Sequence, residues 1–446
     1  MSRYRSYDPL TDAGITSDYA DHIKSYWNSL PTTESPACPP LPEKAPLVII
    51  GAGYTGLNAA YRLASFYQQE VVVLEAGDVG AGCSGRNAGF VLPGSGRLSL
   101  GDYQQRYGDD LARAVQKEFQ RSVELVQERI SQDQIDCDWL PGRYLRVAHT
   151  PRQASKLAKQ FANSQGWWPQ QFLSEQQLRQ QLPGINKGYA ALEQAPAASV
   201  QPKALLQGYA KAASQAGVQI HTRTPVLKWQ STVQGEQLHT PRGRVLAEQV
   251  LVCSNAYTTS SLLPQLSRRQ LPALSSVIVT QPLTEAQLQS TGLNQRDLIM
   301  DTRALKYYYR LLPDNRMLFG GRGAVSGHNA RHPSYCRRLH QALIKTWPSL
   351  QDLSVAYSWH GWVSVSLDSM PRVFSLNDRI HASMGYCGAG IAFSTLAGQR
   401  LADKVMGEKL PDLPFYQSAL PTFPLPGFRR VGQALYYQYA RLKDRY

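Results

Sequence analysis

The segment Leu47–Val91 constrains this chain most. Leu47-Val48-Ile49-Ile50 is a wholly apolar run, as expected for a parallel strand buried on both faces. Gly51, Gly53 and Gly56 follow as G-x-G-x-x-G. Leu57, Ala60, Ala64 and Tyr67 then recur at helical spacing, and a second apolar run, Val71 to Leu74, ends on Glu75. This is the pattern of a dinucleotide-binding strand–helix–strand unit. Gly51 permits the tight turn, Gly53 the approach of a pyrophosphate, and Gly56 the packing of helix on sheet. The residues that open the helix, Tyr54 and Thr55, present backbone N–H groups to phosphate. Glu75 lies 75 − 51 = 24 positions after the first glycine, where its carboxylate accepts from ribose hydroxyls. Ala76 continues that turn.

The next loop, Gly80-Ala81-Gly82-Cys83-Ser84-Gly85-Arg86-Asn87-Ala88-Gly89, separates NAD from FAD. It resembles the "SGRNGG" segment of the FAD-dependent D-amino-acid oxidase superfamily, in the branch of the gamma-glutamylputrescine oxidoreductases, with Ala88 in place of a glycine. The resemblance implies that Ser84, Arg86, Asn87, Ala88 and Gly89 run along FAD towards its isoalloxazine ring. It covers residues from about 20 to the end. It implies an α/β fold in which a Rossmann-like FAD-binding domain is interleaved with an antiparallel-sheet α+β substrate domain. The expected division is an N-terminal arm (1–45), FAD-binding parts at 46–140, 196–264 and 358–408, substrate parts at 141–195 and 265–357, and a tail (409–446).

Further matches follow in chain order. Val226 aligns with the residue that contacts adenine through its backbone, and Val250–Tyr257 with the family's return strand. Trp359-His360-Gly361-Trp362 through Asp368 and Pro371 resembles "W-x-G … D-x-x-P". Gly388, Gly390 and Ile391 open a helix whose N-terminus would face the flavin pyrimidine. The activity implied is amine oxidation, with a hydride passing from the carbon beside a neutral amine to flavin N5 and the imine then hydrolysed. Tyr307, Tyr309, Trp359 and Trp362 are expected to form an apolar pocket that disfavours the ammonium form. The pocket choice of Tyr307 and Tyr309 over Tyr308 depends on strand register.

Four departures from the family bear on the chemistry. Val363 stands where amino-acid oxidases carry a carboxylate-clamping arginine, so an amine without a nearby carboxylate is expected; Arg310 or Arg322 as a substitute clamp keeps a glycine- or sarcosine-type substrate open. Ala389 replaces a frequent histidine. No lysine lies between Arg310 and Gly323, although Lys306 is close, so O₂ or another electron acceptor remains open. No cysteine lies at 363–366, so the flavin is expected to be non-covalent.

The rest of the chain excludes some classes. Its 446 residues contain no run of 18 or more apolar residues and no apolar N-terminal leader, so neither a spanning helix nor a signal peptide is expected. Six cysteines without C-x-x-C pairs fit free thiols in a reducing cytoplasm. His328, His332 and Cys336 recur at intervals of four, but Pro333 interrupts a helix that would align them, and no metal site is expected. The net charge of +14 is dispersed, which argues against nucleic acid. The tail FRRVGQALYYQYARLKDRY is expected to pack as a helix; a membrane-surface helix is the alternative. Tyr19–Leu30 reads as a short amphipathic helix and Ser35–Pro46, with five prolines, as an extended linker. A flavin-bearing nucleic-acid or membrane-surface binder, or an NAD-only dehydrogenase, are the competing classes. Oligomeric state is not encoded in any of these patterns.

Overall fold

The computed structural model describes residues 5–12, 14–15, 23–30, 39–164 and 166–444. Residues 19–22 of the expected N-terminal helix and 35–38 of the expected linker lie outside them; within the rest, Tyr26–Asn28 is a single 3-10 turn. The first strand begins at Lys44, inside the stretch read as linker.

The described residues form two sheets. The first is built on β1 (Lys44–Ile50), α1 (Tyr54–Ser65) and β2 (Val71–Leu74). β1 pairs in parallel with β2 on one side and with the return strand Gly243–Val252 on the other. The order is Arg372–Ser375, Ile380–Met384, Gly243–Val252, β1, β2, Gln219–His221. Buried on both faces, the central strands need apolar residues at successive positions, and Val48, Ile49, Val73, Val250 and Leu251 are all inaccessible to solvent. The second sheet runs Val355–Val365, Leu271–Pro282, Arg316–Arg322, Tyr308–Leu311, Asp297–Asp301, Leu140–Val147, Ala190–Ser199, Phe90–Val91. The chain passes between the sheets repeatedly. The strand Val355–Val365 runs through the expected boundary at 357/358 and pairs along its length with Leu271–Pro282.

Helices cover the first sheet. The expected helical stretch 103–133 is two helices, Leu100–Tyr107 and Asp109–Gln132, broken at Gly108, whose φ is +82°. The second packs on the helix Ile391–Val405 through Phe119, Phe393 and Phe415, with ring centroids 5.1–5.5 Å apart. Ile391–Val405 also lies against α1, where a Cβ on Gly398 would sit 2.4 Å from the Thr55 carbonyl oxygen. The tail forms a helix, Arg429–Lys443. It buries Gln433, Tyr437 and Ala440 and exposes Phe428, Val431, Leu435, Tyr439 and Leu442. No helix of the described residues is long and apolar enough to cross a membrane.

Phe393 is fully buried within this aromatic contact. Phe393→Ala should lower unfolding free energy by about 3–5 kcal/mol through lost burial and a residual cavity. Denaturant unfolding followed by circular dichroism checks this; an unchanged midpoint would contradict the packing described.

Candidate active site

Two adjoining cavities meet at the C-terminal ends of β1 and the return strand. The first is lined by Gly51, Gly53, Glu75, Ala76, Ser84 and Val226, among others. The second shares Gly53, Cys83, Ser84, Cys253 and Asn255 with it and extends past Arg86, Asn87 and Ala88 to Gly388, Gly390 and Ile391. The two form one elongated space, from Glu75 at one end to the start of the helix Ile391–Val405 at the other.

The glycines explain the shape. Gly51 has φ +107°, and a Cβ there would meet the Cys253 carbonyl at 3.1 Å. A Cβ on Gly56 would fall 1.9 Å from the Gly51 carbonyl oxygen, so only glycine lets α1 start this close to β1. Gly53 is the N-cap of α1 and offers no side chain to its first-turn N–H groups. Glu75 accepts from the Ala52 and Gly77 backbone N–H groups at 2.8 and 3.0 Å. Burial pushes its carboxyl pKa up, against those donors, which pull it down. At the far end Cys387 (φ +56°) and Gly388 (φ +98°) turn the chain into the helix, whose N-cap, Gly390, again has no side chain.

Of the sixteen residues expected at the cofactor, Gly51, Gly53, Tyr54, Thr55, Glu75, Ala76, Ser84, Arg86, Asn87, Ala88, Val226, Gly388, Gly390 and Ile391 line this space. Gly56 and Gly89 do not; both are backbone contacts, Gly89 fitting within 2.1 Å of the Val200 carbonyl oxygen by Cβ position. Asn87 holds the loop's turn, accepting from Gly89 N at 2.8 Å and donating to the Ser84 carbonyl at 2.7 Å.

The five residues expected in the substrate pocket require correction, since none lines the cavity. Tyr309 stacks on Phe319 (5.2 Å) and meets Trp347 edge-on, inside the second sheet's core. Tyr307 lies on the same side, against Phe319 and the Arg303 guanidinium. Tyr308 faces the cavity instead. Its ring sits over Gly320, its direct partner across the hairpin, and its hydroxyl bonds Ser275 Oγ at 2.8 Å. The signal was in the sequence: a glycine opposite a tyrosine leaves room for the ring to fold inward. Arg310 is buried and donates to the Ala88 and Val200 carbonyls at 2.9 and 2.8 Å, so it staples the loop and clamps no substrate. Trp359 donates to the Arg86 carbonyl at 2.8 Å, beneath the loop. Trp362 points to the opposite face and donates to the Tyr7 carbonyl at 2.7 Å. Gly361 and Val363, on the strand face of Trp359, do line the cavity.

The cavity wall is completed by Phe90, Leu92, Val277, Met300, Tyr308 and Arg97, none of them singled out for it, and by Lys306 and Arg322, the latter kept open in the sequence as a substitute clamp. Phe90 and Tyr308 meet edge to face at 6.2 Å. Burial pushes the Tyr308 phenol up to about 12, so it stays protonated near neutrality. Burial also raises the Cys83 thiol to about 11 and the Cys387 thiol above its ordinary value, which leaves both poor nucleophiles. Among the described residues no group of three or more His, Cys, Asp or Glu side chains could hold a metal ion; His332 caps the helix Pro333–Thr346 instead.

A family model described as FAD dependent oxidoreductase matches residues 46–404, most of the chain. The chain belongs to this family. The FAD dependent oxidoreductase is 33% identical over 403 residues to gamma-glutamylputrescine oxidoreductase of Escherichia coli (strain K12), covering 89% of this chain and 92% of the relative. It is 29% identical over 400 residues to the probable oxidoreductase OrdL of Haemophilus influenzae, covering 87% and 90%. Among solved structures, glycine oxidase from Geobacillus kaustophilus superposes with a TM-score of 0.70 at 20% identity, over 85% of this chain and all of that one, which supports the shared fold. The enzyme's cofactor is FAD, and the glycine cradle, the uncapped helix starts and the half-buried acceptor Glu75 suit such a dinucleotide.

Two outcomes follow. Gly56→Val should abolish retention of FAD, read as loss of flavin absorbance; a yellow variant would refute the close approach at Gly51. Burial and the charges of Arg146, Arg97 and Arg322 pull the Lys306 ammonium down to about 8. Its charged form is therefore disfavoured in the fold below pH 8, and that penalty fades as pH rises from about 8 towards the ordinary lysine value. Lys306→Met should raise the melting temperature at pH 7 and gain progressively less above pH 8. A variant less stable at pH 7 would contradict this environment.

Proposed function

We propose that this FAD dependent oxidoreductase oxidises an aliphatic amine of the gamma-glutamylputrescine type. The observation that carries the reading is the cavity wall of Phe90, Leu92, Val277, Met300 and Tyr308, with Val363 in the place of a carboxylate clamp. In this assignment Gly51, Gly53, Tyr54 and Thr55 hold the pyrophosphate, Glu75 the adenosine ribose, and Val226 with Ala76 the adenine end. Ser84, Arg86, Asn87 and Ala88 flank the isoalloxazine side, and the helix start at Gly388, Gly390 and Ile391 faces the pyrimidine.

FAD supplies the two-electron acceptor for the carbon–nitrogen bond. The chain's residues prepare the amine. An ammonium entering the space between Phe90, Leu92, Met300 and Tyr308 loses hydration without gaining a carboxylate partner there, so its neutral form is favoured and the nitrogen lone pair becomes available. Tyr308 keeps its proton and, tied to Ser275, orients the substrate rather than deprotonating it. No side-chain base is assigned. Water then hydrolyses the imine product. The identity of the relative from Escherichia coli supports the amine class.

A second reading, oxidation of a glycine- or sarcosine-type amino acid, is favoured by one observation: Arg322 lines the same cavity, on the strand beside Ser275. Anaerobic addition of gamma-glutamylputrescine, putrescine, glycine and sarcosine to the purified enzyme separates the two. The flavin band should bleach with the first compounds and persist with glycine and sarcosine. Bleaching by only the last two would transfer the assignment to the second reading.

A further inference from the structure

The cavity carries more positive charge than a neutral amine needs. Lys306 stands where the space under Tyr308 opens into two outer hollows. Arg97 and Arg322 line the inner space beside it, and Arg146 lines both outer hollows but not the inner one. Their contacts are neutral. Arg146 donates to Gln160 Oε1 at 2.9 Å, and Arg97 donates to the Ala304 carbonyl at 3.2 Å and lies 5.9 Å from the Tyr436 ring centre. Among the described residues none of these four cations forms an ion pair. The acids near this loop are already engaged. Asp301 pairs with Arg303 and accepts from the Tyr307 N–H, and Asp444 accepts from the Ala304 and Leu305 N–H groups. Three guanidinium groups lie close enough to depress the Lys306 ammonium; Asp301, which lines one outer hollow, opposes them but is paired with Arg303, so the cluster keeps an excess of positive charge that an entering anion would relieve.

We propose that Arg97, Arg146, Lys306 and Arg322 form an anion subsite that binds a carboxylate of the substrate remote from the oxidised carbon–nitrogen bond. The proposal rests on the amine reading above and narrows its substrate class to elongated aliphatic amines with a carboxylate at the far end. The remoteness follows from Arg146, which reaches only the hollows beyond Lys306. Between the two ends, Met300 and Leu92 line the path and suit a methylene chain.

The test uses the FAD-loaded enzyme. Glutarate, a dicarboxylate without an amine, is titrated calorimetrically at pH 7 into wild type, Arg146→Gln and Arg322→Gln, with flavin content as the check on folding. Wild type should bind glutarate, and each variant should bind it about tenfold more weakly or worse, as expected for loss of one charge-assisted contact. No binding to wild type, or equal binding by all three, would overturn the subsite. In parallel, 5-aminopentanoate and pentylamine are compared in anaerobic flavin reduction. The carboxylate-bearing amine should half-saturate at about tenfold lower concentration in wild type, an advantage lost in Arg146→Gln. Equal half-saturation would overturn the subsite and leave amine oxidation standing. Glutarate binding with no flavin reduction by either amine would support the subsite and count against the amine reading.

Discussion

The approach of α1 to the end of β1 is the constraint on which the rest depends. A helix can begin 1.9 Å of Cβ distance from the Gly51 carbonyl only because position 56 has no side chain. That proximity aims the uncapped first turn of α1 into the space between the two sheets and sets Glu75, at the end of the adjacent strand, beside it. At the other end of the space Gly388, with φ +98°, and the N-cap Gly390 lead into the helix Ile391–Val405, whose first turn likewise has no side-chain cap. Two helix starts thus face one elongated cavity, and each presents partial positive charge to it.

The loop between them, residues 80–89, is held by side chains bonded to its backbone rather than by its own sequence alone. Trp27 and Trp359 donate to the Asn87 and Arg86 carbonyls, at 2.9 and 2.8 Å, and Arg310 donates to that of Ala88. A buried guanidinium binding only neutral carbonyls is costly; here burial pulls the Arg310 pKa down to about 10. Its N–H groups satisfy the Ala88 and Val200 carbonyls and so tie the loop to the second sheet. The N-terminal arm thereby joins the site through Trp27, and its Ile15 lines the first cavity beside Glu75 and Val226.

The first sheet was legible because its determinants are local. Apolar runs at 47–50 and 71–74, glycines at fixed offsets and a terminal acid all sit within thirty or so positions of chain, and each constrains the next. The substrate side was misread because its determinants are not local. Whether Tyr307, Tyr308 or Tyr309 faces the cavity depends on the partner strand, where Gly320 makes room for one ring, and on the turn at Asn315, whose φ of +61° fixes the register. Trp359 is on the cavity face but lies under the loop, a contact between positions 86 and 359 that no periodicity encodes. Arg310 was read as a clamp from its charge alone, without the two carbonyls that engage it. The cations that do line the cavity, Arg97, Lys306 and Arg322, come from separate segments, and only the closure of the second sheet brings them together.

A crystal structure of the enzyme grown with FAD tests the central claim most directly. The account predicts the ribose on Glu75, the pyrophosphate over Gly51–Gly53, and the isoalloxazine ring between Tyr308 and the start of the helix Ile391–Val405. A ring on the other face of the hairpin, against Tyr307 and Tyr309, or an adenosine away from Glu75, would contradict it.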